Sequence, residues 1–178
     1  MLFLLKIIKQ AVGKSTNNQV VDSIKIYQAK LVTPFAVLGI RTEEDWLTDI
    51  DYLPVDTKPL LPQTLLAKEV CRQLQAYLAE PNFMFDLCLH IGGTTHQQRV
   101  WQAIQAIPSG ETSSYAEIAA QLHSAPRAVG RACGANRIPI VIPCHRVISK
   151  NGGLGGFMNA SDGDPLEIKR WLLRHESA

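Results

Sequence analysis

Ser114-Tyr115-Ala116-Glu117-Ile118-Ala119-Ala120-Gln121-Leu122, then His123-Ser124-Ala125-Pro126, then Arg127-Ala128-Val129-Gly130-Arg131-Ala132-Cys133-Gly134, is the stretch on which the fold turns. Its first four residues have the form of a capping box. Ser114 can accept from a backbone N–H three residues on, and Glu117 can reach back to the N–H of the serine. Tyr115, Ile118, Ala119 and Leu122 recur at i, i+3, i+4 and i+7, which predicts a short helix with one buried face. Ser124 is placed to cap a second helix, with Pro126 tolerated in its first turn and Gly134 ending it. Two short helices joined by a tight turn make a helix-turn-helix. Such pairs also fill ordinary cores. Here the second helix sets Ala and Gly between arginines, so its backbone can come close to a partner, either another helix or a nucleic-acid groove.

Immediately downstream, Ile138-Pro139-Ile140-Val141-Ile142-Pro143-Cys144-His145-Arg146-Val147-Ile148 holds a cysteine in an apolar run broken by two prolines. The prolines fix φ and remove backbone donors, so the run cannot be an ordinary central strand and is expected to be a stiff extended segment. Only a thiolate is a good sulfur nucleophile; His145 can accept the proton, and the charge of Arg146 would favour the ionised form. The competing reading is a buried cysteine acting as a small hydrophobe.

Charge divides unevenly along the 178 residues. Residues 1–90 carry nine Lys/Arg against ten Asp/Glu, and residues 91–178 carry nine against six, a net of +3. Between Arg127 and Lys150 lie five basic residues (Arg127, Arg131, Arg137, Arg146, Lys150) and no acidic one, as expected of a surface that meets phosphates. Cys71, Cys88, Cys133 and Cys144 lack metal-ligand spacing and read as free thiols of a reducing cytoplasm, with no metal or other cofactor expected. The apolar opening Met1–Ile8 is interrupted by Lys6 and fits neither a secretion signal nor a membrane span.

The remaining chain orders itself around these features. Runs rich in β-formers at 24–32, 35–42 and 47–53 predict an antiparallel meander, and Pro54, Pro59 and Pro62 mark a loop after it. A helix is expected over 63–80, with Leu66, Val70, Leu74, Tyr77 and Leu78 as its apolar stripe, then a further strand over 83–89. Gly92-Gly93 is read as the hinge, which divides the chain into an extension (1–20), an N-terminal α/β domain (21–92) and a C-terminal domain (93–178). Thr95-His96-Gln97-Gln98 has capping-box form before a helix carrying Val100, Trp101, Ile104 and Ile107. Asp164-Pro165-Leu166-Glu167 opens the last helix, with Ile168, Trp171 and Leu172 inward.

Ala135-Asn136-Arg137-Ile138-Pro139 through Pro143-Cys144-His145-Arg146-Val147, with Arg127-Ala128-Val129-Gly130 before and Gly152-Gly153-Leu154-Gly155-Gly156-Phe157 after, resembles the methylated-DNA–protein-cysteine methyltransferases, the O6-alkylguanine-DNA alkyltransferases. The resemblance is strong from about Thr94 onward and covers the first ninety residues only in outline. It implies an α+β chain: a small antiparallel sheet with a helix, ribonuclease H-like, followed by a mostly helical, winged-helix-like domain with the helix-turn-helix. It also implies a stoichiometric repair enzyme. Cys144 would take the alkyl group from O6-alkylguanine, with O4-alkylthymine a further candidate, and keep it as a thioether. By the same resemblance His145 draws the thiol proton through a water, Glu176 orients the imidazole, and Tyr115 assists the leaving guanine. Arg127 would fill the gap left by the extruded nucleotide. Ala128, Gly130 and Arg131 would meet DNA, Asn136 would brace the active-site turn, and Val147 and Phe157 would line the pocket. The implied partner is double-stranded DNA bound through the minor groove by a cytoplasmic monomer, away from membranes. Phe157 stands where a tyrosine is common, and residues 158–165 replace a shorter Gly-rich link. The alternative function is a sensor that binds and flips alkylated guanine without transfer; a thiol hydrolase or redox protein would leave the basic helix pair unexplained.

Overall fold

A strand buried on both faces organises the first half of the computed structural model, which describes residues 26–159 and 163–177. In β2 (Val37–Glu43) the first four residues are all buried. It lies between β1 (Ala29–Val32) and β3 (Trp46–Leu53) in an antiparallel sheet of order β1-β2-β3. Gly39 at its centre leaves room for the Tyr27 ring, which occupies the space of a β-carbon. The meander is therefore as expected, although residues 24–25 of its first run, like the extension over 1–20, fall outside the described residues. Helix α1 (Leu65–Ala79) is capped by Thr64, whose side chain accepts from Ala67 N, and buries Ala67, Val70, Cys71, Leu74 and Tyr77. The sheet, α1 and the later helices share one apolar cluster.

The strand expected over 83–89 is not formed. Its backbone joins the sheet at one point, where Leu47 N donates to Cys88 O (2.9 Å) and His90 N to Leu47 O (3.0 Å). Further back, a helix side chain takes the place of a neighbouring strand. The Gln73 amide donates to Asp86 O and accepts from Asp86 N, both at 2.8 Å. Phe83 and Phe85 then turn their rings toward Tyr77 and each other rather than alternating across a ladder.

The second half is built from short helices. Helix α2 (Thr95–Gln105) is capped one residue earlier than the sequence pattern indicated: Thr94 and Gln97 form the box, because Thr94 keeps an extended backbone while Thr95 is already helical. Ser114 and Glu117 form the box at α3 (Tyr115–Gln121) as expected. Preceding α3, β4 (Ser113–Ser114) pairs in parallel with β5 (Val147–Ile148). Helix α4 (Pro126–Gly134) has Ala125 as its N-cap and no side-chain cap, since Pro126 occupies the first helical position; the Ser124 hydroxyl instead lies 3.5 Å from His96 Nε2. Gly134 does not stop α4 but is its last residue, and it is small because the Asn159 amide packs where a β-carbon would project. Helix α5 (Asp164–Glu176) likewise begins after Gly163, with Asp164 inside the helix rather than capping it. Trp101 Nε1 donates to Ala132 O (2.8 Å), locking α2 to α4.

Across the halves, Ile50 N donates to Arg137 O (2.8 Å), and Asp49, almost fully buried, pairs with both Arg41 and Arg137 at 2.6 Å. Arg137 thus holds the sheet against the segment after α4 and is spent on an internal carboxylate. Among the described residues no helix is long and apolar enough to cross a membrane, and no group of His, Cys, Asp or Glu converges as metal ligands would. Replacing Gln73 with alanine should leave the Asp86 backbone without partners and cost about 1–3 kcal/mol, read as a lower urea midpoint with an unchanged slope.

Candidate active site and nucleic-acid face

Between Asn136 and Cys144 the chain doubles back on itself instead of running extended. Ile142 N donates to Ile138 O (2.9 Å), Pro139 bridges to Ile142, and Ile140 takes a left-handed φ of 73° at the bend. The prolines therefore frame a tight loop. Asn136 closes it from inside: its Oδ1 accepts from Ile138 N (3.0 Å), and its Nδ2 donates to Ile142 O (2.9 Å) and to Cys144 Sγ (3.2 Å). Cys144 opens a 3-10 turn (Cys144–Arg146) that hands the chain to β5.

This turn points two side chains, His145 and Arg146, at the end of α5. His145 is fully buried, and its Nε2 lies 2.8 Å from Glu176 Oε1, so that nitrogen carries the proton toward the carboxylate. Nδ1 is then the acceptor nitrogen, and it has no partner among the described residues. Arg146 does not face the sulfur or the surface. Its Nε and Nη2 donate to Glu176 (both 2.9 Å), and Nη1 donates to Ile107 O (2.6 Å). Tyr77 from α1 gives the carboxylate a further donor at 2.8 Å. Burial alone would raise the Glu176 pKa, but the combined donors hold it down at about 2.

Burial is the largest influence on both Cys144 and His145. It pushes Cys144 up as a thiol, against Asn136 and Lys169, which favour the thiolate, and it pushes His145 down despite Glu176. The resting pair is consequently a thiol beside a neutral imidazole, and Arg146, engaged by Glu176, is not the neighbour that favours ionisation.

Cys144 is buried, with 5% of its surface exposed, yet lines two cavities. One, of about 440 Å³, is walled by Tyr115, Arg127, Gly130, Arg131, Cys133 and Phe157 among others. The other, of about 450 Å³, opens toward β3 past Tyr52, Asn136 and Arg137. A larger groove of about 770 Å³ between β1 and α1 shares no lining residue with either. Of the residues expected at the site, Cys144, Tyr115, Arg127, Gly130, Arg131 and Phe157 meet around the first cavity, while Ala128 lies on α4 outside that lining. Val147 is a correction. It is fully buried in β5 and lines neither cavity, because its alternate position in the strand turns it into the core. Tyr115 donates to Gly156 O (3.0 Å), and burial raises its pKa. Arg127 and Arg131 are exposed at the mouth, so two of the five basic residues, with Lys150, remain free of the internal pairs that engage Arg137 and Arg146.

Two participants escaped the sequence reading. Tyr77 looked like one more apolar position of α1, and its partner lies 99 residues away. Lys169, fully buried, donates from Nζ to Val147 O and Leu154 O (both 2.6 Å) and to Gly156 O (3.2 Å). A signal existed: Lys169, Leu172 and Glu176 fall at i, i+3 and i+7 of α5, which places the lysine on the inward face.

A thiol, a neutral imidazole fixed by a carboxylate, and a helix pair with arginines at the same cavity form the arrangement expected of a cysteine-dependent transferase that meets DNA. Comparison with known proteins agrees. Residues 95–178 match the family described as 6-O-methylguanine DNA methyltransferase, DNA binding domain. The constitutive methylated-DNA–protein-cysteine methyltransferase of Bacillus subtilis is 41% identical, over 84% of this chain and 94% of its own. The crystal structure of Mycobacterium tuberculosis O6-methylguanine methyltransferase superposes with a TM-score of 0.71 at 38% identity, covering 83% of this chain and 90% of that one. A structure of the Mycobacterium tuberculosis protein in complex with DNA gives 0.68 at 37% identity, covering 83% and 91%. The chain belongs to the methylated-DNA–protein-cysteine methyltransferase family.

Glu176 governs stability as well as geometry. Its folded pKa lies below the ordinary 4.5, so the stabilisation it gives is complete above that value and is lost as pH falls toward about 2. Glu176→Ala should cost about 3–5 kcal/mol at pH 7, because Arg146 and His145 lose their buried partner. Urea titrations at pH 6, 4 and 3 should show the wild-type advantage over Glu176→Gln shrinking with acidity.

Proposed function

We propose that this protein repairs DNA by transferring the alkyl group of O6-alkylguanine, with O4-alkylthymine a further candidate, irreversibly to Cys144. The observation that carries the reading is that Cys144 lines one cavity with Tyr115 and the arginine-bearing face of α4, while the residue after it is a neutral imidazole locked on Glu176.

The chemistry follows from those groups. The thiol proton passes to His145 Nδ1 through a bridging water, and Nε2–H stays on Glu176, which stabilises the imidazolium that forms. The sulfur attacks the alkyl carbon in line; the S–C bond forms as the C–O6 bond breaks, and the electron pair leaves on guanine. Tyr115, whose hydroxyl is held as the neutral acid by burial, gives that base a proton or hydrogen bond. The resulting thioether has no ready leaving path, so each molecule acts once.

The target lies inside the base stack, so the nucleotide must be extruded. Arg127 is exposed at the cavity mouth and suits the gap left in the duplex, while Ala128, Gly130 and Arg131 let α4 sit close to a minor groove. The supporting architecture is read as a ribonuclease H-like unit up to residue 92 and a winged-helix-like unit from residue 93, acting as a cytoplasmic monomer. The non-transferring sensor is disfavoured by the nucleophile itself, which stands with its base and orienting carboxylate complete.

Duplex DNA carrying O6-methylguanine should add one methyl to the Cys144 peptide, measured by mass spectrometry, and no second methyl at longer times. Cys144→Ala should bind the lesion without mass gain. His145→Gln should slow transfer on the order of 100-fold, and Arg127→Ala by about tenfold or more through failed extrusion. Binding by the wild type without mass gain would establish the sensor instead. Because burial holds His145 neutral, the transfer rate should persist below pH 6.5, the ordinary imidazole value.

A further inference from the structure

A buried ammonium is costly unless hydrogen bonds and opposite charge replace its water. Lys169 has the first without the second. Three carbonyls, Val147 O, Leu154 O and Gly156 O, take its three N–H donors, and among the described residues no carboxylate pairs with it. Its positive charge is therefore not cancelled locally, and in a dry interior it acts on whatever lies near.

The groups facing it come from every element of the pocket. Cys144 and His145 belong to the 3-10 turn and Cys133 to α4; each feels the charge. The Tyr115 ring of α3 is 5.9 Å from Nζ, and the Phe157 ring is 6.0 Å away. Leu154 and Gly156 belong to the glycine-rich link that leads into Phe157 on the cavity wall, and Gly156 O also accepts from the Tyr115 hydroxyl. Ammonium, phenol and wall are one network. Gly155, with φ of +66°, has the Tyr115 ring and Ser149 packed where a β-carbon would sit, so the link has little room to move.

We propose that Lys169 is a positioning residue of the transfer reaction: it holds the 154–157 link and Tyr115 in register from beneath, and its uncompensated charge favours the thiolate form in which Cys144 attacks. This rests on the transferase reading. Burial lowers Lys169 to about 8, so the ammonium persists at neutral pH, and a thiolate at Cys144 pulls it back up. A lysine that only bolted the link in place would slow transfer equally at every pH. A lysine that also acts on the sulfur gives a deficit that depends on pH. The ammonium is present at pH 7 and is lost as Lys169 deprotonates above about 8, so the advantage it gives the thiolate fades across that range.

The test measures single-turnover methyl transfer by the full chain from O6-methylguanine duplex DNA between pH 6.5 and 9.5, for the wild type and Lys169→Met. The expected result is a loss of about tenfold or more at pH 7 that narrows steadily toward pH 9.5. A constant deficit, or none, overturns the proposal. Should Lys169→Met not fold, side-chain NMR titration of Lys169 in the wild type and in Cys144→Ala decides instead. The midpoint should fall when the sulfur is removed, and identical midpoints overturn the coupling. A wild type that transfers no methyl sinks the transferase reading, while the NMR titration still decides whether Lys169 and Cys144 are coupled.

Discussion

A single carboxylate, Glu176, holds three elements in one geometry. Tyr77 from α1 and His145 and Arg146 from the 3-10 turn all donate to it, at 2.8 to 2.9 Å. Taking a carboxylate out of water is expensive, and only a full set of donors compensates for that loss. The requirement propagates. Satisfying Glu176 fixes the imidazole's protonated nitrogen, which leaves the other nitrogen as a proton acceptor; it also fixes the turn, and the turn fixes the sulfur one residue earlier. Arg146 extends the same network to the end of α2 through Ile107. Packing and chemistry here are two consequences of one electrostatic constraint.

The site is quiescent by construction. Desolvation raises the thiol and lowers the imidazole, so neither carries charge at rest, and Asn136 and Lys169 offset only part of the cost of a thiolate. In a low-dielectric site the fixed donors need no reorganisation when charge does appear, which is the condition under which they stabilise it best. Reactivity then belongs to the occupied pocket more than to the free protein.

How much of this was legible in the sequence depended on range. The Ser114–Glu117 box and the antiparallel meander were readable because their signals act within a few residues or repeat along the chain. The same logic slipped by one residue at Thr94, where two adjacent threonines offer the same hydroxyl and only the backbone distinguishes them. The 83–89 run carries strand-forming side chains but lost its ladder to Gln73, a residue on a helix. Arg146 and Arg137 looked like phosphate contacts until their carboxylates, 30 and 88 residues distant, came into view. The resemblance supplied Glu176, which position alone would have left as a solvated end; nothing local could supply Tyr77.

That Cys144 borders a cavity on each side has a practical meaning. One opening is the face with the arginines of α4, and the other leads out past Tyr52 and Arg137 beside the sheet. A small electrophilic probe shaped for the sheet-side entrance would cap the sulfur without touching the arginines of α4, giving a reagent that blocks this thiol in an otherwise unmutated protein.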